Sequence, residues 1–238
     1  MTLALLCAGA IKGLVLAIEP GFTAAAGTAI SAQFGAVGAM REALRQGAAC
    51  DVLVLTEALL VALEASGEVL PASRVPVGRV RTGIAVACGA PMPAIRDAAS
   101  LRATLLSASA LYFPDAERST AGAHVAHVLR RLGIDEALAP RCRMFANGAI
   151  AMRTLADSDD VQAIGCTQIT EIRYTPGIVL AGPLPAAFEL ATTYSAAIAR
   201  DAREPALARR FIEVLAGEQS RDLRLAGGFD DDTRPQLK

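Results

Sequence analysis

Short apolar runs alternate with longer amphipathic segments along the whole sequence. The runs Leu3–Cys7 and Asp51–Leu55 are the clearest, and each predicts a buried strand. A helical pattern follows most of these runs, as from Ile11 to Ala26 after the first one. Strands that alternate with helices of about ten to fifteen residues are typical of right-handed βαβ units and a parallel sheet. The pattern therefore predicts an α/β fold.

The rest of the chain continues this alternation. Further strands are predicted at Thr28–Phe34, Val80–Ala87, Ala110–Phe113, Val161–Cys166, Ile178–Ala181 and Leu190–Ile198. Further helices are predicted at Ala39–Gln46, Glu57–Ser66, Leu101–Leu106, Ala121–Leu132, Ala149–Ala156, Pro205–Ala216 and Gln219–Ala226. A turn at Pro76–Gly78 precedes the strand from Val80, which is a natural crossing point into a second lobe. The residues Asp230–Lys238 are expected to form a solvated tail.

Composition narrows the class of protein and of partner. The 238 residues are long enough for two lobes of about a hundred residues each. Hydrophobic residues make up 53% of the chain and aromatic residues only 4%, which suits small side chains packed between helices and a parallel sheet. The formal net charge of −1 gives no general attraction to nucleic acid or to an anionic membrane. Any anion binding must therefore be local, and no nucleic-acid partner is predicted.

Cysteine and histidine usage favours neither disulfides nor a metal site. The count of five cysteines is odd and no pair has CxxC spacing, so buried thiols in a reducing compartment are expected. His124 and His127 lie far along the chain from most of the cysteines, and no carboxylate pattern accompanies them. We therefore expect no metal ligand and no cofactor.

The N-terminal residues bear on where the protein acts. No basic residue precedes the apolar run Leu3–Cys7, and Lys12 interrupts it where an export signal would still be apolar. No run reaches the roughly 18 uninterrupted apolar residues of a membrane span. The sequence as given predicts a cytoplasmic protein without membrane insertion, or a periplasmic one if a leader has been removed.

Three predicted strand-to-helix loops consist of small residues: Ala8–Ala10, Gly35–Gly38 and Ser119–Gly122. Small residues let backbone N–H groups approach a ligand, and the helix dipole adds partial positive charge. Such loops at the carboxyl ends of parallel strands are where open α/β sheets bind ligands. Close packing alone explains one loop of this kind, but three favour a small-anion cleft.

Several segments along the sequence resemble a known family. The segment Phe34–Gly38 followed by Gln46–Val52 is similar to the loop, helix, glycine and Ala-Asp strand of the periplasmic molybdate-binding proteins. Further similar features are the helix that begins at Ala121-Gly122 and ends at Leu132-Gly133, and the final Phe211, Gly217 and Gly228-Phe229. Their order and spacing extend over nearly all of the chain. The resemblance implies a two-lobed type II solute-binding fold.

In that fold each lobe is a parallel-rich sheet flanked by helices, with the ligand cleft between the lobes. By the resemblance, lobe one comprises residues 1–80 and 195–238, and lobe two comprises 81–194. The small-residue loops, the resemblance and the cations near the expected cleft edges together give these candidate ligand-binding residues: Gly9, Ala10, Lys12, Ala36, Val37, Gly38, Arg81, Arg118, Ser119, Thr120, Ala121, Asn147 and Gln168.

The chain departs from the family at the residues expected to bind the oxyanion. The family's serine positions fall on Ala10 and on Ala36, Val37 and Gly38, and its tyrosine aligns with Gln168. Cations lie near the expected cleft edges instead, at Lys12, Arg41, Arg81 and Arg118. Carboxylates favour such charge-assisted donors. The loss of these serines and the presence of cations therefore favour an organic di- or tricarboxylate over molybdate as the ligand.

Each candidate also has a purely structural interpretation. Lys12, Arg41 and Arg118 could be solvated helix-face charges, and Ser119 and Thr120 could be N-caps. Asn147-Gly148 could be a turn. Arg81 is harder to explain this way, because an unpaired charge in an apolar strand is costly.

Two functions stay open at this stage. The first is a binding protein for a small anion, with a transporter permease as partner only if the protein is exported. The alternative follows from aconitate isomerases among the family's relatives, which shift a double bond by proton abstraction and return. In that case Lys12 would be the base. A cytosolic sensor is the weaker third hypothesis, because no DNA-binding segment is present.

Overall fold

The computed structural model describes residues 2–230, and the chain divides into two compact units. Unit 1 contains the described residues up to Val80 and those from Thr192 onward. Unit 2 is Arg81–Ala191. The second crossing between the units thus falls at Thr192, where the sequence analysis expected 195. Of the expected tail, all residues beyond Asp230 lie outside the described part of the chain.

The described residues form nine strands and ten α-helices. The strands are β1 Thr2–Ala8, β2 Ala29–Gly35, β3 Val52–Thr56, β4 Val75–Ala87, β5 Leu111–Pro114, β6 Cys142–Phe145, β7 Ile164–Gln168, β8 Ile178–Pro183 and β9 Ala191–Ile198. The helices are α1 Lys12–Ala26, α2 Val37–Arg45, α3 Glu57–Ala65, α4 Ala98–Ser107, α5 Thr120–Arg131, α6 Asp135–Leu138, α7 Gly148–Ala156, α8 Ile169–Tyr174, α9 Pro205–Ala216 and α10 Arg221–Gly227. The predicted α/β fold is confirmed.

The sheet of unit 1 is built around β1, which lies between β2 and β3 and is parallel to both. The return strand β9 is antiparallel to β3. All five residues of β3 are buried, as expected for a central strand with helices on both faces. On one face Phe22 of α1 packs edge-on against Phe211 of α9, with ring centres 5.1 Å apart. This packing explains why both helices have apolar residues at helical spacing.

Unit 2 has its own sheet, in which β5 is parallel to its neighbours β6 and β7. The part of β4 in this unit is antiparallel to β7 on one side and to β8 on the other. Its core joins α4 and α5 to the sheet through Leu101, Leu111, Val125 and Leu129. Helix α4 begins with a capping box in which the Ser100 N–H donates to the Asp97 carboxylate at 2.8 Å.

One predicted turn was wrong, and two elements of the structure were not predicted. The predicted turn at Pro76–Gly78 lies within β4, because proline is tolerated near the start of a strand. Strand β6 was not predicted because its sequence, Cys-Arg-Met-Phe, is only partly buried and has no apolar run. Helix α8 was missed because it has only six residues, fewer than a periodic pattern needs.

One helical stretch of the described residues, Gly9–Ala26, is long and apolar enough to cross a membrane by length and composition alone. Core helices of soluble proteins and N-terminal signal sequences satisfy the same criterion, so this is weak evidence for a membrane span.

Candidate functional site

The predicted binding residues of unit 1 lie together at the carboxyl edge of its sheet. Ala8 at the end of β1 is paired in register with Gly35 at the end of β2. The 3-10 turn Gly9–Ile11 and the N-cap Ala36 therefore follow adjacent strand ends. This arrangement brings Gly9, Ala10 and Lys12 next to Ala36, Val37 and Gly38.

The helices that begin at this edge of unit 1 lack side-chain caps. Ala36 is the N-cap of α2, and its methyl group cannot accept a hydrogen bond. In the described structure neither Ile11 before α1 nor Thr56 before α3 makes a side-chain cap bond. The first-turn N–H groups of a helix have no intrahelical acceptor. The N-termini of α2 and α3 can therefore donate to an anion. At α1 the Lys12 N–H already donates to the Gly9 carbonyl oxygen, so the donors that can face an anion there are those of the preceding 3-10 turn.

Lys12 supplies a positive charge at the same edge. It is the first residue of α1 and half-buried, and its Nζ lies 5.9 Å from the centre of the Phe34 ring at the end of β2. A cation in the first turn of a helix opposes the helix dipole and costs about 0.3–1 kcal/mol. The first turn of α1 contains no acidic residue. An anion bound at this edge would add a favourable interaction with the Lys12 ammonium group.

An acidic residue that was not among the predicted site residues lies where β3 joins α3 in unit 1. Glu57, the first residue of α3, forms an ion pair with Arg74 and accepts a hydrogen bond from the Ser195 hydroxyl. Arg74 also lies 3.2 Å from the Glu64 carboxylate. Arg74 is thus shared between two carboxylates, and the pairing reduces the charge that Glu57 would direct at an anion without cancelling it. Its position directly after the fully buried strand β3 is the signal that could have identified it.

The candidates of unit 2 also lie at one sheet edge. Because β5, β6 and β7 are parallel neighbours, the loops that follow them emerge side by side. Arg118, Ser119, Thr120 and Ala121 follow β5, Asn147 follows β6, and Gln168 ends β7. Thr82, directly after Arg81, is paired with Gln168, which places Arg81 at the same edge.

The loop before α5 is held mainly by the protein's own groups. The N–H groups of Glu117 and Arg118 each donate to Asp115 Oδ1 at 2.9 Å. Ser119 is the N-cap of α5, but its Oγ lies 3.4 Å from the Gly122 nitrogen, which makes a long and weak bond. A Cβ on Gly122 would lie 2.2 Å from the Asp115 carbonyl oxygen, so this glycine is required for packing. Arg118 is exposed.

The start of α7 is capped more completely. The Ile150 N–H donates to Asn147 Oδ1 at 2.9 Å, so Asn147 is an N-cap rather than only a turn residue. The Ala149 N–H donates to the buried carboxyl group of Glu171, a residue that the sequence analysis missed. Burial raises the pKa of Glu171 to about 7, although hydrogen bonds from Thr167 and from backbone N–H groups oppose the rise.

The two remaining candidates, Arg81 and Gln168, differ in their exposure to solvent. Arg81 Nη1 lies 3.9 Å from the Glu189 carboxylate, and about a third of the Arg81 side chain is exposed. This ion pair explains how an arginine is tolerated in β4. Gln168 is buried and is the N-cap of α8.

A cavity of about 430 Å³ in unit 1 lies away from these loops. Its lining includes Thr2 and Ala4 at the start of β1, and Cys50 and Asp51 just before β3. It therefore opens at the amino-terminal edge of the sheet, and none of the predicted binding residues lines it.

Metal-binding groups do not cluster in the part of the chain that the structure describes: residues 2–230 contain no group of three His, Cys, Asp or Glu side chains that could hold an ion. His124 is instead bound through Nε2 to the Phe188 carbonyl oxygen at 2.7 Å, and burial lowers the pKa of its imidazole. Burial raises the pKa of the Cys166 thiol to about 12, which makes it unreactive.

Two of the solved structures that are similar to this one are named for the inorganic oxyanions that they bind. The periplasmic molybdate-binding protein of Azotobacter vinelandii matches with a TM-score of 0.80 at 19% identity, covering 98% of this chain and all of that one. The sulfate-binding protein SubI from Mycobacterium tuberculosis matches with a TM-score of 0.76 at 16% identity, covering 98% of this chain and 88% of that one. At these identities the matches show the fold.

Sequence comparison gives a relative and a family. An aconitate isomerase from a Pseudomonas species is 28% identical over 228 residues, which are 92% of this chain and 84% of that protein. The profile of the family described as bacterial extracellular solute-binding protein matches residues 3–230, nearly the whole sequence. This chain therefore belongs to the family of bacterial extracellular solute-binding proteins.

Proposed function

We propose that this solute-binding protein binds a small organic di- or tricarboxylate rather than molybdate. The observation that carries the proposal is the edge of unit 1, where Lys12 begins α1 and the loop positions at the two adjacent strand ends are the alanines Ala10 and Ala36. Neither alanine has a hydroxyl group that could donate a hydrogen bond to an inorganic oxyanion such as molybdate. A carboxylate gains instead from a charged donor combined with helix N–H groups.

The proposed contacts in unit 1 are the N–H groups at Gly9, Ala10, Val37 and Gly38 and the ammonium group of Lys12. In unit 2 we propose the start of α5 at Ser119, Thr120 and Ala121, together with Arg118. Arg81, Asn147 and Gln168 complete the proposed set.

A ligand screen tests the proposal through ligand-linked stabilisation. The thermal midpoint of the full chain is measured with molybdate, tungstate, sulfate, citrate and both aconitate isomers. A rise in the midpoint with a polycarboxylate, and none with molybdate, is the expected result. Stabilisation by molybdate alone would overturn the proposal.

The role of Lys12 is tested by substitution. Lys12→Met keeps the length of the side chain and removes its charge, so the affinity for the stabilising polycarboxylate should fall about 10- to 100-fold. Arg209→Met, which removes an exposed cation from α9 in the same unit, is the matched control and should bind like the parent. Equal affinities of the two variants would contradict the proposed role of Lys12.

An isomerase of aconitate type is the second candidate, and the 28% identical relative supports it because the match extends over 92% of this chain. In this reaction a base removes a proton from a CH₂ group beside the double bond, the double bond shifts, and the proton returns at the other end of the three-carbon unit. Lys12 is the proposed base.

Proton exchange separates the two candidates. Aconitate is incubated with the protein in D₂O and its C–H signals are followed by NMR. Loss of these signals with the parent, but not with Lys12→Ala, would support the isomerase. Binding without any exchange would leave a receptor, for which a transporter permease is the proposed partner if the protein is exported. Fractionation of cells that express the natural gene tests the compartment, which stays a prediction.

A further inference from the structure

A cluster of buried polar side chains lies in unit 2, next to the proposed binding edge. Its members come from β4, β7, α8 and the residue that follows α8, and all are at most 6% exposed: Thr82, Thr167, Gln168, Thr170, Glu171 and Thr175. Within the described residues, the Thr82 and Thr170 hydroxyls have no hydrogen-bond partner. Burying a polar group costs free energy unless the group is hydrogen-bonded. The cluster therefore needs an explanation beyond packing.

Glu171 is the ionisable member of this cluster, and it joins three segments. Its Oε2 accepts a hydrogen bond from the Thr167 hydroxyl on β7 at 2.5 Å. Its carboxyl group also accepts from the N–H of Gln168, at the start of α8, and from that of Ala149, in the first turn of α7. Gly148 is packed so closely on it that a Cβ there would lie 2.0 Å from Oε2.

The charged groups on the surrounding elements do not contact this carboxyl group. Arg153 on α7 and Arg173 on α8 are exposed at the surface, and Arg81 on β4 is paired with Glu189. Strands β7 and β8 carry no charged residue. The pKa of Glu171 is therefore set by burial, which raises it, and by hydrogen bonds from the Thr167 hydroxyl and the two N–H groups, which lower it.

We propose that Glu171 is a positioning residue for ligand binding in unit 2: its carboxyl group fixes the first turn of α7 against β7 and α8, and thereby holds Asn147 and Gln168 at the binding edge. The inference rests on the proposed function, because it concerns the same edge. Glu171 itself touches no ligand in this proposal. It acts through the Ala149 and Gln168 backbone.

The charge on Glu171 has a consequence for an anionic ligand. When the carboxyl group is ionised, a buried negative charge lies behind the donors that are to receive an anion, and like charges repel across a medium of low dielectric constant. When it is protonated, the repulsion vanishes while one oxygen still accepts from the N–H groups. Anion binding should therefore be tighter at pH 6 than at pH 8, because the pKa of Glu171 is about 7.

Three full-length proteins test the inference: the parent, Glu171→Gln, and Glu136→Gln, which removes an exposed carboxylate from α6 in the same unit. Glutamine has the shape of the protonated acid and stays neutral at every pH. Titration with trans-aconitate at pH 6 should give a ratio of parent to Glu171→Gln dissociation constants near one, because both side chains are then mainly neutral. At pH 8 the repulsion by the ionised carboxylate should outweigh the weaker hold of glutamine on α7, so the ratio should be about 3- to 10-fold higher. Ionisation of the ligand cancels in this ratio.

A second measurement needs no ligand. The amide exchange rate of Ala149, followed by NMR at pH 8, should be about 10-fold higher in Glu171→Gln than in the parent, because a carboxylate is the stronger acceptor. In Glu136→Gln both the exchange rate and the binding ratio should match the parent. Unchanged exchange at Ala149, or a binding ratio that is the same at both pH values, would overturn the inference. Failure of the parent to bind any anion would reject the proposed function, and the Ala149 exchange rate alone would then decide whether Glu171 positions α7.

Discussion

The ammonium group of Lys12 lies over the ring of Phe34, with Nζ 5.9 Å from the ring centre. The contact joins the first turn of α1 to the end of β2, two segments that the sequence analysis placed at the same edge. A cation over an aromatic face at this distance gains about 0.5–1 kcal/mol at an exposed site. The ring therefore helps to hold the charge of Lys12 close to the N-terminus of α2.

Replacing Phe34 should weaken ligand binding without removing any direct donor. In Phe34→Leu the aliphatic side chain keeps the apolar contact but has no aromatic face, so Lys12 loses one of its restraints. We expect the affinity for a bound polycarboxylate to fall about 2- to 5-fold, the equivalent of the lost cation–π contact. Calorimetric titration measures the change. Phe34→Tyr retains the aromatic face and should bind like the parent, and an equal loss in both variants would contradict this role.

Gly148 should tolerate no side chain. A Cβ at this position would lie 2.0 Å from Glu171 Oε2 and 2.1 Å from Thr167 Oγ1, and both atoms are buried and hydrogen-bonded to each other. Gly148→Ala must break this contact or shift α7, at a cost of about 1–3 kcal/mol in the free energy of unfolding. Urea denaturation of the variant measures the cost.

Gly21→Ala is the matched control, since no atom lies within 4 Å of a Cβ added in this part of α1. Alanine favours the helix over glycine by about 0.8–1 kcal/mol, so this variant should be as stable as the parent or more stable. Gly148→Ala with the stability of the parent would show that Glu171 is free to move.

How far the sequence could predict this structure depended on the kind of residue. The buried runs around Leu3–Cys7 and Val52–Leu55 predicted their strands, because a strand covered on both faces leaves a continuous apolar signal. The small residues at Ala10 and Ala36 then predicted which strand ends would lie together. These signals are local in the chain, so they can be read without the fold.

The chemistry of unit 2 could not be read in the same way. Glu171 looks like a surface acid in the sequence, and only the approach of Gly148 and the Ala149 N–H shows that it is buried. Asn147 was weighed as a turn residue because its acceptor role depends on where α7 begins. Such roles follow from contacts between segments that are distant in sequence, for which a single chain gives no pattern.

Asp51 should be important for the stability of unit 1, although it lies away from the proposed binding residues. Its Oδ2 accepts from the Ala4 N–H at 2.8 Å and its Oδ1 from the Arg203 N–H at 2.7 Å, and the residue is buried. In Asp51→Asn only one oxygen remains, and the new NH₂ group faces an N–H donor. The free energy of unfolding should fall by about 1–3 kcal/mol. Urea denaturation followed by circular dichroism tests this, and Asp201→Asn, an exposed aspartate nearby, is the control.

Glu171 should also make stability depend on pH. Its pKa is raised from 4.5 to about 7 in the folded protein, so folding favours the protonated form. The folded state is therefore penalised as pH rises from the unfolded value near 4.5 to about 7, and the penalty of about 3 kcal/mol is complete above that range. In Glu171→Gln this dependence is absent, so the variant should gain stability relative to the parent between pH 5 and pH 8. Urea denaturation of both proteins across this range measures the difference, which a constant offset at all pH values would contradict.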